Sequence, residues 1–462
     1  MRKVPMSKLH GKIHVKHGFA FKGEYFTTEG EHVLLTPGNF LEGGGFTFNP
    51  EKAKYYTGEF PSSYICNEGD LIVAMTEQME GLLGCTAIVP QSGKFLHNQR
   101  IGLITIDESC MDKMFVYYLF NTKSVRKQIR GSSSGTKVKH TSPDRMYDVL
   151  APLPPLSVQK GIGKLLSALD AKITLNQRIN AELEAMAKLL YDYWFVQFDF
   201  PISKELAARL GKPKLEGKPY KSSGGPMVHN AELKREVPEG WEVDELGDHL
   251  TIERGIGYTS AELSDQGTPL INLDSFTLDG RYKVNGLKYY TGTVKEGKYL
   301  KPGDLMIAAT DVTRNAHIIG RSFILPDIFS SSPAASTDIA KVNVGPTLNK
   351  YVLQMLFNTT HYHKYIKGFA SGTLVLHLNM DGLKWYKTPI APIDLQLSYE
   401  RIKEPNENKA ALIIKENHEL STLRDWLLPM LMNGQVTVGA AEEEVGLAMA
   451  AEPAGKYGKK RK

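Results

Sequence analysis

Aliphatic residues recur at seven-residue intervals in two stretches of this chain. In the first, Ile162, Leu169, Asn176, Leu183 and Leu190 stand in strict register, with Leu165, Ile179, Met186 and Tyr193 at the complementary positions. In the second, Ile413, Leu420 and Leu427 are joined by Leu423 and Met430. So narrow a stripe predicts helices that pair along a seam, and the polar Asn176 within it is a device for fixing register. Thirty-odd helical residues span roughly 50 Å at ~1.5 Å each. Ser157 and Asp394 follow proline-rich segments and stand where N-caps belong. Pro405 interrupts the second stretch early, so that helix must kink there or begin near Asn406. The plainer alternative is a pair of amphipathic helices, each packed on its own domain.

The remainder reads as short strands between turn signals. Segments 70–75 and 304–309 follow or contain a glycine turn and carry dense apolar or β-branched residues, as does 101–106. Aromatic and aliphatic residues at helical spacing predict short helices over 113–127 and 349–364.

These elements are one unit written twice. Gly18 and Gly255 are 237 positions apart (255 − 18), and the same offset joins Gly30 to Gly267. It returns in Phe120-Asn121-Thr122 with Phe357-Asn358-Thr359, and in Ser134-Gly135-Thr136 with Ser371-Gly372-Thr373. His140 and His377, Asp144 and Asp381, Pro152 and Pro389, and Gln159 and Gln396 keep the register. A constant offset over so many residue types means internal duplication. Each copy holds a β-rich part of roughly 150 residues and then a helix, which sets the fold class as α+β. The copies are joined by a linker, residues 199–238, whose Gly211-Lys212-Pro213 and Gly217-Lys218-Pro219 signal irregular chain. Residues 436–462, with Glu442-Glu443-Glu444 and a basic end, read as a disordered tail.

Composition narrows the partners only a little. The net charge is +5 in 462 residues, and Lys459-Lys460-Arg461-Lys462 supplies much of it. Cys66, Cys85 and Cys110 form no C-x-x-C pair, which argues against disulfides and a thiolate zinc site and fits a reducing cytoplasm. No run of eighteen apolar residues is present, so no membrane span is expected. Neither a G-x-x-x-x-G-K-[ST] loop nor an H-E-x-x-H motif occurs. Gly43-Gly44-Gly45 reads as a flexible loop, and His361-Tyr362-His363 as a surface pair of histidines. The chain reads as non-catalytic, with no metal or cofactor of its own.

Several segments carry a resemblance. Pro152-Leu153-Pro154-Pro155-Leu156-Ser157-Val158-Gln159 leads into Leu169-Asp170-Ala171-Lys172-Ile173 and Asn176-Gln177-Arg178-Ile179-Asn180, and closes with Trp194-Phe195-Val196-Gln197-Phe198-Asp199. Together with Pro238-Glu239-Gly240-Trp241 and Leu423-Arg424-Asp425-Trp426-Leu427-Leu428-Pro429, this resembles the specificity subunits of type I restriction–modification systems. The resemblance implies two target-recognition domains, residues 1–155 and 239–392, each reading half of a split site in double-stranded DNA. It implies helices over 156–198 and 393–435 that pair as an antiparallel coiled coil and set the spacing of the half-sites. Two adenine methyltransferase subunits and the restriction (translocase) subunits would be the partners, and S-adenosylmethionine, ATP and Mg2+ would belong to them.

A reader of base edges needs amide, guanidinium and hydroxyl side chains on loops, with cations for phosphates. The loops after the matched strands offer Gln78, Asn98 and Arg100 in one copy and Thr310, Thr313, Arg314 and Asn315 in the other. The glycine–serine loops add Arg130, Ser133, Thr136, Lys137 and Lys139, and then Lys367, Ser371 and Thr373. Lys16, His17 and Arg254 stand at equivalent entries of the two copies. Two other readings stay open on sequence alone: a helical interaction scaffold that binds no DNA, and a self-contained DNA-modifying enzyme.

Overall fold

The computed structural model describes residues 4–450, apart from Met79, Asn285 and Arg314; for 447–450 it gives the backbone alone. It is a mixed helix-and-strand protein that divides into two compact units. Unit 1 comprises residues 1–173 and 419–462, and unit 2 comprises residues 174–418.

In unit 1 the main sheet is antiparallel, in the order Ile13–His17, Ile101–Ile106, Leu71–Ala74, Thr86–Ile88. A smaller sheet orders Phe26–Thr27, Tyr55–Tyr56, His32–Leu34 and Phe95–Leu96, the last pair parallel. Unit 2 repeats the plan strand for strand. Its main sheet runs Leu250–Arg254, Ile339–Val344, Leu305–Ala308, Ser322–Ile324. Its smaller sheet runs Leu263–Ser264, Lys288–Tyr290, Thr268–Ile271, Ala334–Ala335, again with a parallel last pair.

The residues shared at constant offset are those that tie this plan together. Gly18 and Gly255 admit no side chain, because a Cβ on either would lie 2.1 Å from a backbone oxygen, of Asn98 or Ser336. Phe-Asn-Thr breaks a helix in two. Thr122 and Thr359 each accept from a backbone N–H of the second piece, Lys123–Gly131 or Thr360–Ile366. The expected single helices over 113–127 and 349–364 are therefore pairs. The preceding Asn121 accepts from Thr86 N at 3.0 Å, and Asn358 accepts from Ser322 N at 3.0 Å. Gln159 is buried, accepting from Asp112 N and donating to Cys110 O and Pro154 O. Gln396 makes the same three bonds with Asn349, Thr347 and Ala391.

Two long helices follow the β-rich parts, α1 (Leu156–Tyr191) and α2 (Ile393–Met432). Both start one residue earlier than the expected caps, so Ser157 and Asp394 lie inside the first turn. Pro405 does not delay α2, which runs from Ile393 through it. In unit 1, Ile162, Leu165, Leu169, Leu420 and Leu427 share one core, and Arg424 Nη1 lies 2.7 Å from Asp170 Oδ1. In unit 2 the helices pair antiparallel. Asn176 donates to Glu416 Oε2 and Asn417 Oδ1, and Tyr399 Oη donates to Ala187 O. Buried Lys403 lies between Glu184 at 2.9 Å and Glu407 at 2.6 Å. Burial opposes the Lys403 charge, the two carboxylates outweigh it and hold its pKa up, and burial pushes Glu407 up.

The seam departs from the expected heptad on α1. Ile162, Leu166, Leu169, Ile173 and Asn176 are buried, but the stripe then steps by four twice, through half-buried Asn180 and Glu184, to Ala187 and Tyr191. Such a stutter rotates the stripe by one position. Leu183 and Leu190 are consequently only half-buried, while Met186 and Tyr193 are exposed. On α2 the phase holds. Ile413, Leu420 and Leu427 are buried, and Leu423 sits half-buried at the edge.

Two segments expected to be irregular are folded. Residues 199–238 contain the helix Lys204–Arg209 and the hairpin Met227–Asn230 with Arg235–Pro238. Phe200 stacks on Tyr220 and Trp241, and Asp199 accepts from Ser222 N and Oγ, so aromatic packing outweighs the Gly-Pro signals. Within 436–462, α3 (Val438–Ala450) is helical, because Thr437 caps it and Ala441 and Val445 reach the unit 1 core. The basic end, 451–462, lies outside the described residues.

Candidate nucleic-acid interface

Each copy presents two loops at one short ladder. In unit 1, Thr76–Glu77 pairs with Lys139–His140, placing Gln78 beside the glycine–serine loop. In unit 2, Thr310–Asp311 pairs with Leu376–Leu378, which also pairs with Ala370–Ser371. The ladder exists because a buried carboxylate gathers the first loop. Glu77 Oε2 accepts from the backbone N–H groups of Gly81, Leu82 and Leu83 at 3.1, 3.1 and 2.9 Å. Asp311 accepts from Thr313, Ile318 and Ile319 at 2.6, 2.6 and 2.9 Å. Such bonds make each loop a fixed platform.

Several expected contact residues serve this platform. Arg130 Nη1 lies 3.0 Å from both Glu77 and Glu80, so its charge is already matched. Ser133 Oγ donates to Arg130 O at the helix end. Thr310 is buried and donates to Asp338, because its strand leads into the core. Thr313 Oγ1 accepts from His317 N. Lys367 Nζ donates to Asn315 O at 2.9 Å, joining the two loops of unit 2. Gln78, Thr136, Lys137, Ser371 and Thr373 are exposed on the loops, Asn315 too, and Lys139 is half-exposed on its strand. Arg314 lies outside the described residues.

A second locus forms where the first strand of each main sheet ends. His17 and Arg254 are exposed there, and Arg100 is exposed on the adjoining loop of unit 1. Lys16 Nζ stands 4.3 Å from the Tyr64 ring centre. Asn98 is half-buried and bridges Phe19. Its neighbour His97 is buried with Nε2 2.9 Å from Ile101 O, and burial holds its pKa down at about 4. Unit 2 has a histidine of the same kind. His363 is buried rather than on the surface, and burial followed by the Arg321 guanidinium lowers it to about 4.

Residues missed on sequence are apolar. Leu374 is 88% exposed at the tip of the unit 2 loop, and Val312 is exposed on the facing loop. The repeat offset pairs Leu374 with Lys137, which was the available signal.

Away from both loci, Met186, Leu189, Tyr193 and Ile402 line an apolar groove of about 400 Å³ on unit 2. Among the described residues no helix is long and apolar enough to cross a membrane, and no cluster of three His, Cys, Asp or Glu is placed for a metal ion.

Residues 1–185 match the Type I restriction modification DNA specificity domain, and they span the first copy and most of α1. The chain is thus similar to type I specificity subunits, by that domain in its first copy and by relatives along much of its length. Among its relatives is the type I restriction enzyme MjaIX specificity subunit of Methanocaldococcus jannaschii, 23% identical over 70% of this chain and 69% of that protein. The EcoBI specificity subunit of Escherichia coli is 28% identical over 59% of this chain and 52% of that one. The fold is similar to that of the S subunit of a type I restriction–modification system from M. genitalium. The TM-score is 0.55 at 15% identity, over 93% of this chain and 96% of that chain.

Proposed function

We propose that this chain is a type I specificity subunit, which reads a bipartite target in double-stranded DNA and carries no catalysis itself. Residues 1–155 and 239–392 are the two target-recognition domains. The helices over 156–198 and 393–435 form the antiparallel coiled coil that spaces them. The observation that carries this reading is one topology present twice, each time with a carboxylate-fixed loop pair at the same ladder. Two copies of one reader suit a target in two parts, much as dimeric repressors match paired half-sites.

On this reading two adenine methyltransferase subunits and ATP-dependent restriction subunits assemble on the chain in the cytoplasm. They supply S-adenosylmethionine, ATP and Mg2+. The groove at Met186 and Ile402 supports a docking role, because its counterpart in unit 1 is closed. Leu165, equivalent to Ile402 by the repeat offset, is 7% exposed against 45%, in a core that contains α3.

The test is selection from a random DNA library by the full-length chain expressed with its modification subunit. A two-part motif with steep salt dependence is expected. Failure to enrich any sequence would favour a scaffold that binds no DNA. Methylation or cleavage by the chain alone would favour an enzyme.

A further inference from the structure

The glycine–serine loops are the same backbone with opposite tips. Ser134 and His140 exchange backbone hydrogen bonds at 3.0 and 2.8 Å, and Ser371 pairs with His377 in the same register. Gly135 and Gly372 have φ of +97° and +131°, and a Cβ on either would lie 2.0 Å from the carbonyl oxygen of Val138 or Val375. Each loop is therefore pinned, and only its tip residues are free to differ.

They differ in kind. In unit 1 the tip carries Lys137, and the Glu77–Lys139 pairing sets Gln78 across from Val138. In unit 2 the tip carries Leu374, the most exposed large apolar side chain among the described residues. The Asp311–Leu376 pairing sets Val312, 61% exposed, across from Val375. One copy thus offers a polar, charged edge and the other an aliphatic one. A single exposed leucine is ordinary. Leu374, Val375 and Val312 are instead three exposed apolar side chains on two loops that Lys367 ties together through Asn315 O.

We infer that Leu374, supported by Val312, is a thymine-reading element of the second copy. It rests on the DNA-reading function proposed above. The major-groove edges of the bases are polar except for the C5 methyl of thymine, so an aliphatic side chain aimed there has that one feature to close on. Lys137, in the same place on the first copy, meets a phosphate or a guanine edge instead.

The experiment uses the full-length chain with its modification subunit and the DNA that this complex selects. Thymines of one half-site are replaced singly by deoxyuridine, which removes only the methyl group. One such replacement is expected to weaken binding about four-fold, the worth of one buried methyl. Leu374→Ala should weaken binding to the thymine site and remove that deoxyuridine effect, with the melting temperature and salt slope unchanged. Lys137→Ala should keep the deoxyuridine effect and reduce the salt slope by about one. If no sequence is selected, the DNA-reading function itself fails. If a motif is selected but no deoxyuridine matters, or Leu374→Ala retains the full penalty, the thymine contact is overturned.

Discussion

Unit 1 and unit 2 carry one topology, and they differ where a ligand would touch them. The positions that join strand to helix are filled alike: Gly18 and Gly255, Asn121 and Asn358, Gln159 and Gln396. At the loops the copies part. Glu77 answers Asp311, Lys137 answers Leu374, and Arg126, which donates to Gly81 O, answers buried His363. The frame is fixed by groups whose backbone partners are buried, where an unmet bond is costly. The loop tips face water and are free to vary without loss of fold. If the proposed DNA reading holds, one repeated scaffold would thereby carry two different specificities.

The comparison can be broken first at the frame. Gly18→Val and Gly255→Val should each destabilise their unit by about 3 kcal/mol or more, since each side chain meets a backbone carbonyl. Thermal melting of the two variants checks this, and a large loss in one copy alone would deny their equivalence. Next in size, Gln159→Leu and Gln396→Leu each leave a buried N–H and two carbonyls unpaired. Each should cost about 2–3 kcal/mol in denaturant unfolding.

Acid sharpens the comparison further. His97 and His363 are held neutral by burial with pKa near 4, below the ordinary 6.5. Between those values the unfolded chain binds a proton that the folded chain refuses. Stability from each histidine is thus complete above pH 6.5 and is lost as pH falls toward 4. His97→Gln should flatten this limb for unit 1 and leave it in unit 2, as followed by unfolding at a series of pH values. The smallest effect on stability is expected at the groove. Met186→Glu should shift melting little, because Met186 is already 63% exposed, yet reduce recovery of the modification subunit in co-purification. Leu165→Glu, at a buried site of unit 1, should instead destabilise the fold.

The repeat was legible because its shared residues are the structural ties, and ties must keep their chemistry and spacing. The long helices were legible from their seams, but not the stutter after Asn176, since Leu183 and Leu190 continue an unbroken heptad in sequence. The linker misled because glycine and proline mark local turns, whereas Phe200 stacks on Tyr220 and Trp241, 20 (220 − 200) and 41 (241 − 200) positions along the chain. The loop pair was found only in part. Residue type alone pointed to Arg130 and Thr310, whose partners are set by tertiary pairing with Glu77 and Asp338. The same reasoning passed over Leu374, because a search for hydrogen-bonding side chains does not see an aliphatic one.

The most direct measurement replaces residues 1–155 with the corresponding segment of a relative that has another target, then maps methylated adenines across the host genome. One half of a two-part motif should change, with the other half and the spacer length retained. A change in both halves, or a motif without a spacer, would contradict the view that each copy reads DNA on its own.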